Sequence, residues 1–483
     1  MAIIPATPSG SIMQYIENKT FDEISVGDRA ELTRVLCKED IQLFAVMSGD
    51  MNPTHLDADY ANPSDFQEVI ANGMWGGALI SALLGTELPG PGTVYVRQDL
   101  SFDHPVGLGD TVVVRVTVVE KRADRHVILD CLCLTDNGKV AVSGQAEVIA
   151  PAVKVRRPRA LLPEVHLHAR GARHRQLIEA ALAHPPVPTA VIHPCDAVSL
   201  LGALAARDAG LIVPVLVGPR ARIEAVATQE GISLEGVETV DAPHSHAAAE
   251  AGVALAREGK VGALMKGKLH TDEIMAAVVD KLCGLRTERR ISHVFALDVP
   301  HYSKPLFITD GAINIAPDLE AKRDIIQNAI DLAHALGIAA PKVAILSAVE
   351  TVTPTIGSTI DAAALCKMAD RGQITGGVLD GPLAFDNAVS PEAARTKGLV
   401  SGVAGQADIL VAPDLVSANM IAKQLIYLAG ADSAGLALGA RVPIILTSRS
   451  DNVQARVASA ALASLFVAHA ARTQMASQTE RLA

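Results

Sequence analysis

Near residue 150 the chain changes its pattern, and that change decides what it can fold into. Over residues 93–149 four strand-like runs follow one another: TVYVRQDLSF, DTVVVRVTVVE, HVILDCLCLT and KVAVSGQAEVI. Asp136-Asn137-Gly138 between the last two is a hairpin signal, and runs spaced this way form an antiparallel sheet. Upstream, residues 74–84 are a compact apolar, Gly/Ala-rich segment of helical length, followed by the breakers Leu-Pro-Gly-Pro-Gly. One buried helix beside an antiparallel sheet is an α+β layout. After about residue 175 the texture differs: TAVIHP, IVPVLVG, GALMKG, HVFALDVP, KVAILSA, GGVLDG, ADILVAP and VPIILTS alternate with helical stretches such as 196–209 and 319–336. That alternation predicts an α/β domain, a parallel sheet covered on both faces with ligands near the carboxyl ends of its strands.

One core cannot serve both patterns, and 483 residues exceed the size at which a single core stops growing. Residues 151–175, rich in Pro, Arg and His without periodicity, read as a linker to which His166 and His168 belong. The expected division is 1–150, a linker at 151–175, and 176–483. A segment as long as the last predicts two lobes with a cleft between them.

Bulk properties narrow the function. A net charge of -11, with basic clusters only at 154–159 and 170–175, gives no nucleic-acid footprint. The N-terminus lacks a basic region followed by a long apolar run, and no stretch reaches about 18 uncharged apolar residues, so neither export nor membrane insertion is expected. The six cysteines show no CxxC spacing and read as reduced thiols of a cytoplasmic protein. The fifteen histidines are scattered, which predicts no metal site, and no Walker-A, GxGxxG or HExxH pattern occurs.

Two regions carry chemistry. In SGDMNPTHLD, Asp50 and His55 flank a turn-forming Asn52-Pro53 and can converge on one water. On local residues alone the segment reads first as an Asx turn, with Asp50 as a helix or turn cap and His55 as an ordinary loop histidine. The helix beginning near Gly73 offers unpaired N–H groups for an oxyanion. In the second half, MKGKLHT (265–271), DGAINIAPD (310–318), LDGPLAFDNAVS (379–390) and LTSRSD (446–451) put polar residues at four strand ends that together can line a cleft. Gly267, Gly311 and Gly381 permit close approach or simply turn the chain, and Asp380 and Asp386 read as caps or turn formers. Lys266, Lys268 and Arg449 can neutralise phosphate, and Asp451 can accept a thiol proton.

SGDMNPTHLDADYA, NGMWGGALISALLG and LSFDHPVGLGDTV together resemble the (R)-specific enoyl-CoA hydratases of the MaoC-like hot-dog family, over nearly all of residues 20–150. The resemblance implies a hot-dog fold, Asp50 and His55 as the catalytic pair, Gly73 as the oxyanion amide, and at least a homodimer. It departs at Asn72, where many relatives carry histidine; the inferred donor is a backbone amide, so Gly73 keeps its role. Ser81 reads as a packed small residue.

GPLAFDNAVS, APDLVSANMIAKQLIYLAGA and GARVPIILTSRSD resemble the phosphate acetyltransferase and phosphate butyryltransferase family over roughly residues 175–475, closer to the butyryl branch. This implies acyl exchange between CoA and inorganic phosphate through an acyl phosphate, with no cofactor bound covalently. Ser448 and Arg449 would hold the transferring group and phosphate, Asp451 would promote the CoA thiolate, and Lys266 and Asn314 would be cleft contacts. Asp451 lies closer to Ser-Arg than in the acetyl branch. A basic residue expected soon after His270-Thr271 is absent from DEIMAAVVD, leaving Arg286 or Arg289 as substitutes. The whole resembles fused enoyl-CoA hydratase/phosphate acetyltransferase proteins and implies a bifunctional enzyme using acyl-CoA, phosphate and acyl phosphate. The alternative is a hydratase whose C-terminal domain is a non-catalytic acyl-CoA sensor or oligomerisation module.

Overall fold

A computed structural model of the chain describes residues 15–62, 68–162, 165, 167, 171–447 and 451–482, with side chains of the last helix to Met475. It divides into two compact units, Met1–Leu167 and His168–Ala483.

The first unit is built on a five-stranded antiparallel sheet, ordered Arg29–Val35, Thr111–Lys121, His126–Thr135, Val140–Ile149, Val94–Phe102. Four of these are the runs read from sequence. Arg29–Val35 (RAELTRV) is not, because it faces water along most of its length and is held by pairing with Thr111–Lys121 and by the Glu31–Arg115 ion pair. The hairpin lies where Asp136-Asn137-Gly138 places it, with Gly138 at φ +77° in the left-handed region that glycine tolerates. In Thr111–Lys121, Val112, Val114, Val116 and Val118 alternate into the core. The helix Met74–Thr86 packs there with Ile80, Leu83 and Leu84 buried, each worth roughly 1.5–3 kcal/mol of transfer free energy. Its glycines let the two surfaces touch: a Cβ on Gly76 would meet a Val142 methyl at 3.0 Å. Ser81, expected to be packed, is exposed on this helix.

At Gly144 the approach is tighter still, since a Cβ would lie 1.9 Å from the Asp99 carbonyl oxygen on the neighbouring strand. Gly144→Ala is therefore expected to destabilise this unit by about 3 kcal/mol or more, read as a lower denaturation midpoint. An unchanged midpoint would show that the two strands can part at no cost.

Part of the expected linker belongs to this unit. Arg156–Pro158 pairs antiparallel with Tyr15–Glu17. The buried Asn18 side chain donates to the carbonyls of Pro91 and Val153 and accepts from Val155 N–H. Lys154 bridges Glu17 and Glu23, so the basic cluster is partly spent on local ion pairs. His166 and His168 lie outside the described residues.

The second unit has one eleven-stranded sheet. Glu238–Asp241, Ile212–Gly218, Val187–Ile192, Ala263–Lys266 and Ile444–Ile445 form a parallel flank. Leu306–Thr309, Ile409–Val411, Lys342–Leu346 and Val378–Leu383 form a second. Between them Asp432–Leu438 and Ser292–Asp298 run antiparallel to their neighbours. The expectation of a parallel sheet therefore holds for each flank and fails at their junction. The link between Ser292–Asp298 and Leu306–Thr309, residues 299–305, is too short for a crossover, which needs about a dozen residues, so this pair is antiparallel. Three successive reversals leave the flanks pointing in opposite directions. Helices cover both faces; Ala197–Asp208, Leu319–Ala335 and Val453–Leu482 share one core. Within the last, the stretch Val453–Met475 is long and apolar enough to cross a membrane by length and composition, and most of it is buried in this core.

Candidate active sites

In the first unit, the helix Lys38–Ser48 ends at Gly49, whose left-handed φ of +76° turns the chain into Asp50. The Asp50 Oδ1 accepts from Asn52 N–H at 3.2 Å, and the Asn52 side chain in turn caps the short helix Pro53–Leu56 through Thr54 N–H at 3.1 Å. Proline at its first position presets the turn that carries His55. His55 Nδ1 is 2.9 Å from the Ile70 carbonyl oxygen, so that nitrogen carries the proton and Nε2 presents a lone pair. Nε2 lies 3.9 Å from Asp50 Oδ2. Asp50 and His55 are thus brought together, their side chains 40% and 11% exposed.

A third residue, absent from the sequence reading as a contact, completes the group. Asn72, which is buried, donates through Nδ2 to Asp50 Oδ2 at 2.8 Å. That bond, followed by the Asn52 N–H, holds the Asp50 carboxyl below its usual range. Asp50 and His55 Nε2 are then two acceptors 3.9 Å apart, an arrangement that one water satisfies by donating to both. Beside them opens a cavity of about 360 Å³ lined by His55, Asn72, Gly73, Trp75, Cys133 and Val142 among others. The Gly73 N–H, at the start of Met74–Thr86, has no hydrogen-bond partner among the described residues.

Asn72 gives a direct pH prediction. Asn72→Ala removes the donor that favours ionised Asp50, so the carboxyl should titrate at higher pH. Wherever the ionised form is the working base, the acidic limb of the kcat/KM profile moves upward in pH and activity at low pH falls first. A profile superimposable on wild type would show that Asn72 does not tune Asp50.

In the second unit, hydrogen bonds among the described residues link three of the four polar segments. Lys266 is buried and its Nζ reaches the Thr447 carbonyl at 3.4 Å, joining the 265–271 and 446–451 segments. The 310–318 loop is organised by Asp310, whose carboxylate accepts backbone N–H groups from His293, Ala312, Ile313 and Asn314 at 3.0–3.1 Å. Asn314, expected as a cleft contact, donates to Asp310 Oδ2 at 2.6 Å and to the Ile291 carbonyl at 2.8 Å, so its amide hydrogens brace this loop. Buried His293 connects the loop to the 446–451 segment: Nε2 is 3.4 Å from the Leu446 carbonyl. Burial lowers its pKa against the pull of Asp310 and Asp451, leaving it neutral. Asp451, half-buried before Val453–Leu482, also acts electrostatically on the buried Arg456. Ser448 and Arg449 lie outside the described residues.

The 379–390 segment departs from expectation. Its strand, Val378–Leu383, is the edge strand at the far end of the second flank, and among the described residues no hydrogen bond joins it to the other three segments. Ile409–Val411 and Lys342–Leu346 stand between this strand and Leu306–Thr309, whose end carries the 310–318 loop. Asp380 caps its own turn through Gly381 N–H at 2.8 Å. Gly267, Gly311 and Gly381 answer to packing: a Cβ would lie within 2.9 Å of Ile192, Phe295 and Ile345 atoms respectively.

A second cavity, about 310 Å³, opens at the carboxyl ends of Val187–Ile192 and Ala263–Lys266, lined by His193, Asp196, Arg222, Lys268, His270 and Glu273 among others. Neither Arg286 nor Arg289 lines it: Arg289 is ion-paired with Asp331, and Arg286 makes a β-bridge with Ala440. Arg222 lines it instead, from the helix Arg220–Gln229 that follows the second strand of the unit. Its only trace in the sequence is the paired arginine of GPRARI. Among the described residues no group of three or more His, Cys, Asp or Glu is placed to hold a metal ion.

Residues 244–464 match the family described as Phosphate acetyl/butaryl transferase, and residues 23–130 match the MaoC like domain. A phosphate acetyltransferase of Rhizobium meliloti is 61% identical over 308 residues, 64% of this chain and 98% of the relative. The chain belongs to the phosphate acetyl/butyryltransferase family. It carries a MaoC-like hot-dog domain ahead of the transferase domain. A branched-chain phosphotransacylase from Enterococcus faecalis V583 is similar in structure, with TM-score 0.52 and 28% identity, covering 58% of this chain and 99% of that one. The R-hydratase PhaJ1 from Pseudomonas aeruginosa matches 32% of this chain and 99% of its own at 44% identity, with TM-score 0.31. Family membership is consistent with the flanked α/β architecture of the second unit.

Proposed function

We propose that the chain is a bifunctional acyl-CoA enzyme. The second unit exchanges an acyl group between CoA and inorganic phosphate, as the name of its 61%-identical relative suggests. In this reading the CoA thiolate attacks the carbonyl carbon of an acyl phosphate and phosphate leaves, with Asp451 taking the thiol proton; the reverse direction uses phosphate as nucleophile. Ser448 and Arg449 would hold the transferring group, and Lys266 adds a buried cation beside Thr447. The sensor or oligomerisation alternative rests on the missing basic residue after Thr271. Arg222 and Lys268 supply cations at that place, which favours catalysis.

The first unit, in this reading, hydrates a short enoyl-CoA to the (R)-3-hydroxyacyl-CoA. The observation that carries it is the pair of acceptors, Asp50 Oδ2 and His55 Nε2, 3.9 Å apart next to a cavity into which a free N–H can point. The pair removes a proton from water as its oxygen bonds to C3. The C2–C3 π electrons move toward the thioester oxygen, held by Gly73 N–H, and the pair returns a proton to C2. The apolar wall of Trp75, Cys133 and Val142 suits an acyl chain. Loss of crotonyl-CoA absorbance with chiral analysis of the product tests the reading: (R)-3-hydroxybutyryl-CoA is expected, and the (S) product or no turnover would overturn it.

Assembly follows from the same surface. Val94–Phe102 is an edge strand with Val94, Tyr95, Val96 and Phe102 exposed, which supports a homo-oligomer formed through this sheet edge. The six cysteines are free thiols, which fits a cytoplasmic protein.

A further inference from the structure

We infer that Arg456 is a positioning residue for the proposed acyl transfer, its guanidinium clasping the ends of two neighbouring strands at Thr447 and Lys266. This role rests on the acyltransferase reading and adds to it a side chain that acts through the chain segments around it.

Arg456 stands where a cation is unfavourable. It lies in the first turn of Val453–Leu482 and is 3% exposed, at the helix end whose dipole favours anions, and that turn holds no acidic residue. Burial lowers its pKa, and the pull of Asp451 and then Asp196 offsets only part of this. An apolar side chain of similar length would fill the same space without burying a charge. The facing helix nevertheless makes room for the arginine. Gly202 of Ala197–Asp208 lies so close to its stem that a Cβ there would be 2.4 Å from Arg456 Cδ.

The head group is directed at polar atoms of two strand ends. Arg456 Nη1 donates to Thr447 Oγ1 at 2.7 Å and to the Lys266 carbonyl at 3.4 Å. Lys266 Nζ in turn donates to the Thr447 carbonyl at 3.4 Å. Lys266 is the last residue of Ala263–Lys266, and Thr447 follows Ile444–Ile445, the parallel strand paired with it. The guanidinium therefore ties the exits of both strands together. Its bond to Thr447 also closes the chain between residues 447 and 456, and Asp451 lies within that span. Closing the span removes conformational freedom before substrate arrives, the condition under which a thiol base is held where the transfer needs it.

The test uses full-length protein and phosphate-dependent release of CoA from acetyl- or butyryl-CoA, with melting curves alongside. Arg456→Met keeps an unbranched stem against Gly202 and loses the donors. Its kcat is expected to fall at least about tenfold, with Michaelis constants for phosphate and acyl-CoA within about threefold of wild type. Arg456→Lys, which can still donate to Thr447 Oγ1, is expected to keep a kcat at least about threefold above that of Arg456→Met. Thr447→Val removes the acceptor and leaves the cation in place. Its loss and that of Arg456→Met are expected not to multiply in the double variant, because both break one bond. A kcat for Arg456→Met within tenfold of wild type, or losses that multiply, would overturn the inference. Where Arg456→Met does not fold, Thr447→Val decides: a lowered kcat with Michaelis constants kept supports the clasp, and an unchanged kcat overturns it. Absence of release by the wild type would end the acyltransferase reading and this role with it, whereas wild-type release that the variants leave intact ends the role alone.

Discussion

Asp50→Asn is expected to lower crotonyl-CoA hydration by roughly 10²–10⁴-fold, the usual weight of a positioned acid or base, while phosphate-dependent release of CoA by the same protein is retained. The substitution keeps the shape of the side chain and removes the carboxylate that, with His55 Nε2, would orient and deprotonate the water. Its structural cost is small, because Asp50 is 40% exposed and its described partners are the Asn72 amide, the Asn52 N–H and His55. An asparagine can still accept from Asn72 by turning its carbonyl oxygen toward it. Loss of activity with an unchanged melting curve therefore reads on chemistry. Hydration within tenfold of wild type would remove Asp50 from the mechanism.

The second large effect belongs to the other unit. Asp451→Asn is expected to reduce phosphate-dependent release of CoA by roughly 10²–10⁴-fold and to leave hydration intact. Asp451 precedes Val453–Leu482, where the side chain of Asn452 accepts from Ala455 N–H at 2.9 Å and caps the helix. Capping is thus assigned to its neighbour. Buried His293 and Arg456 both feel its charge. Ser448→Ala, assayed alongside, should fall with it if both serve one transfer. A variant retaining more than a tenth of wild-type activity would place the thiol base elsewhere.

What the sequence shows of this protein is what lies close together along it. Asp50 and His55 are separated by a single turn, so their convergence follows from Asn52-Pro53. Ile70 and Asn72 lie 15 and 22 residues beyond His55 and Asp50, and reach the same point only through the tertiary fold. Strands with β-branched alternation, such as Thr111–Lys121, are plain to read; Asp432–Leu438 (DSAGLAL) is not, because alanine and glycine carry little strand preference and its burial comes from neighbours on both sides. That strand and Leu306–Thr309 set the antiparallel junction, so strand ends that look alike in sequence belong to two opposed flanks: 265–271 and 446–451 to one, 310–318 and 379–390 to the other. Arg222 shows the same limit: a cation missing after Thr271 is supplied from a helix about fifty residues earlier.

The most direct measurement of the central claim, that one chain joins two acyl-CoA enzymes, is phosphate-dependent release of free CoA from acetyl-, butyryl- and 3-hydroxybutyryl-CoA by protein that also hydrates crotonyl-CoA. Release from at least one of these, lost in Asp451→Asn and kept in Asp50→Asn, is the expected result. Hydration without any release, while acyl-CoA still binds the second unit, would contradict the account and make that unit a sensor or assembly domain.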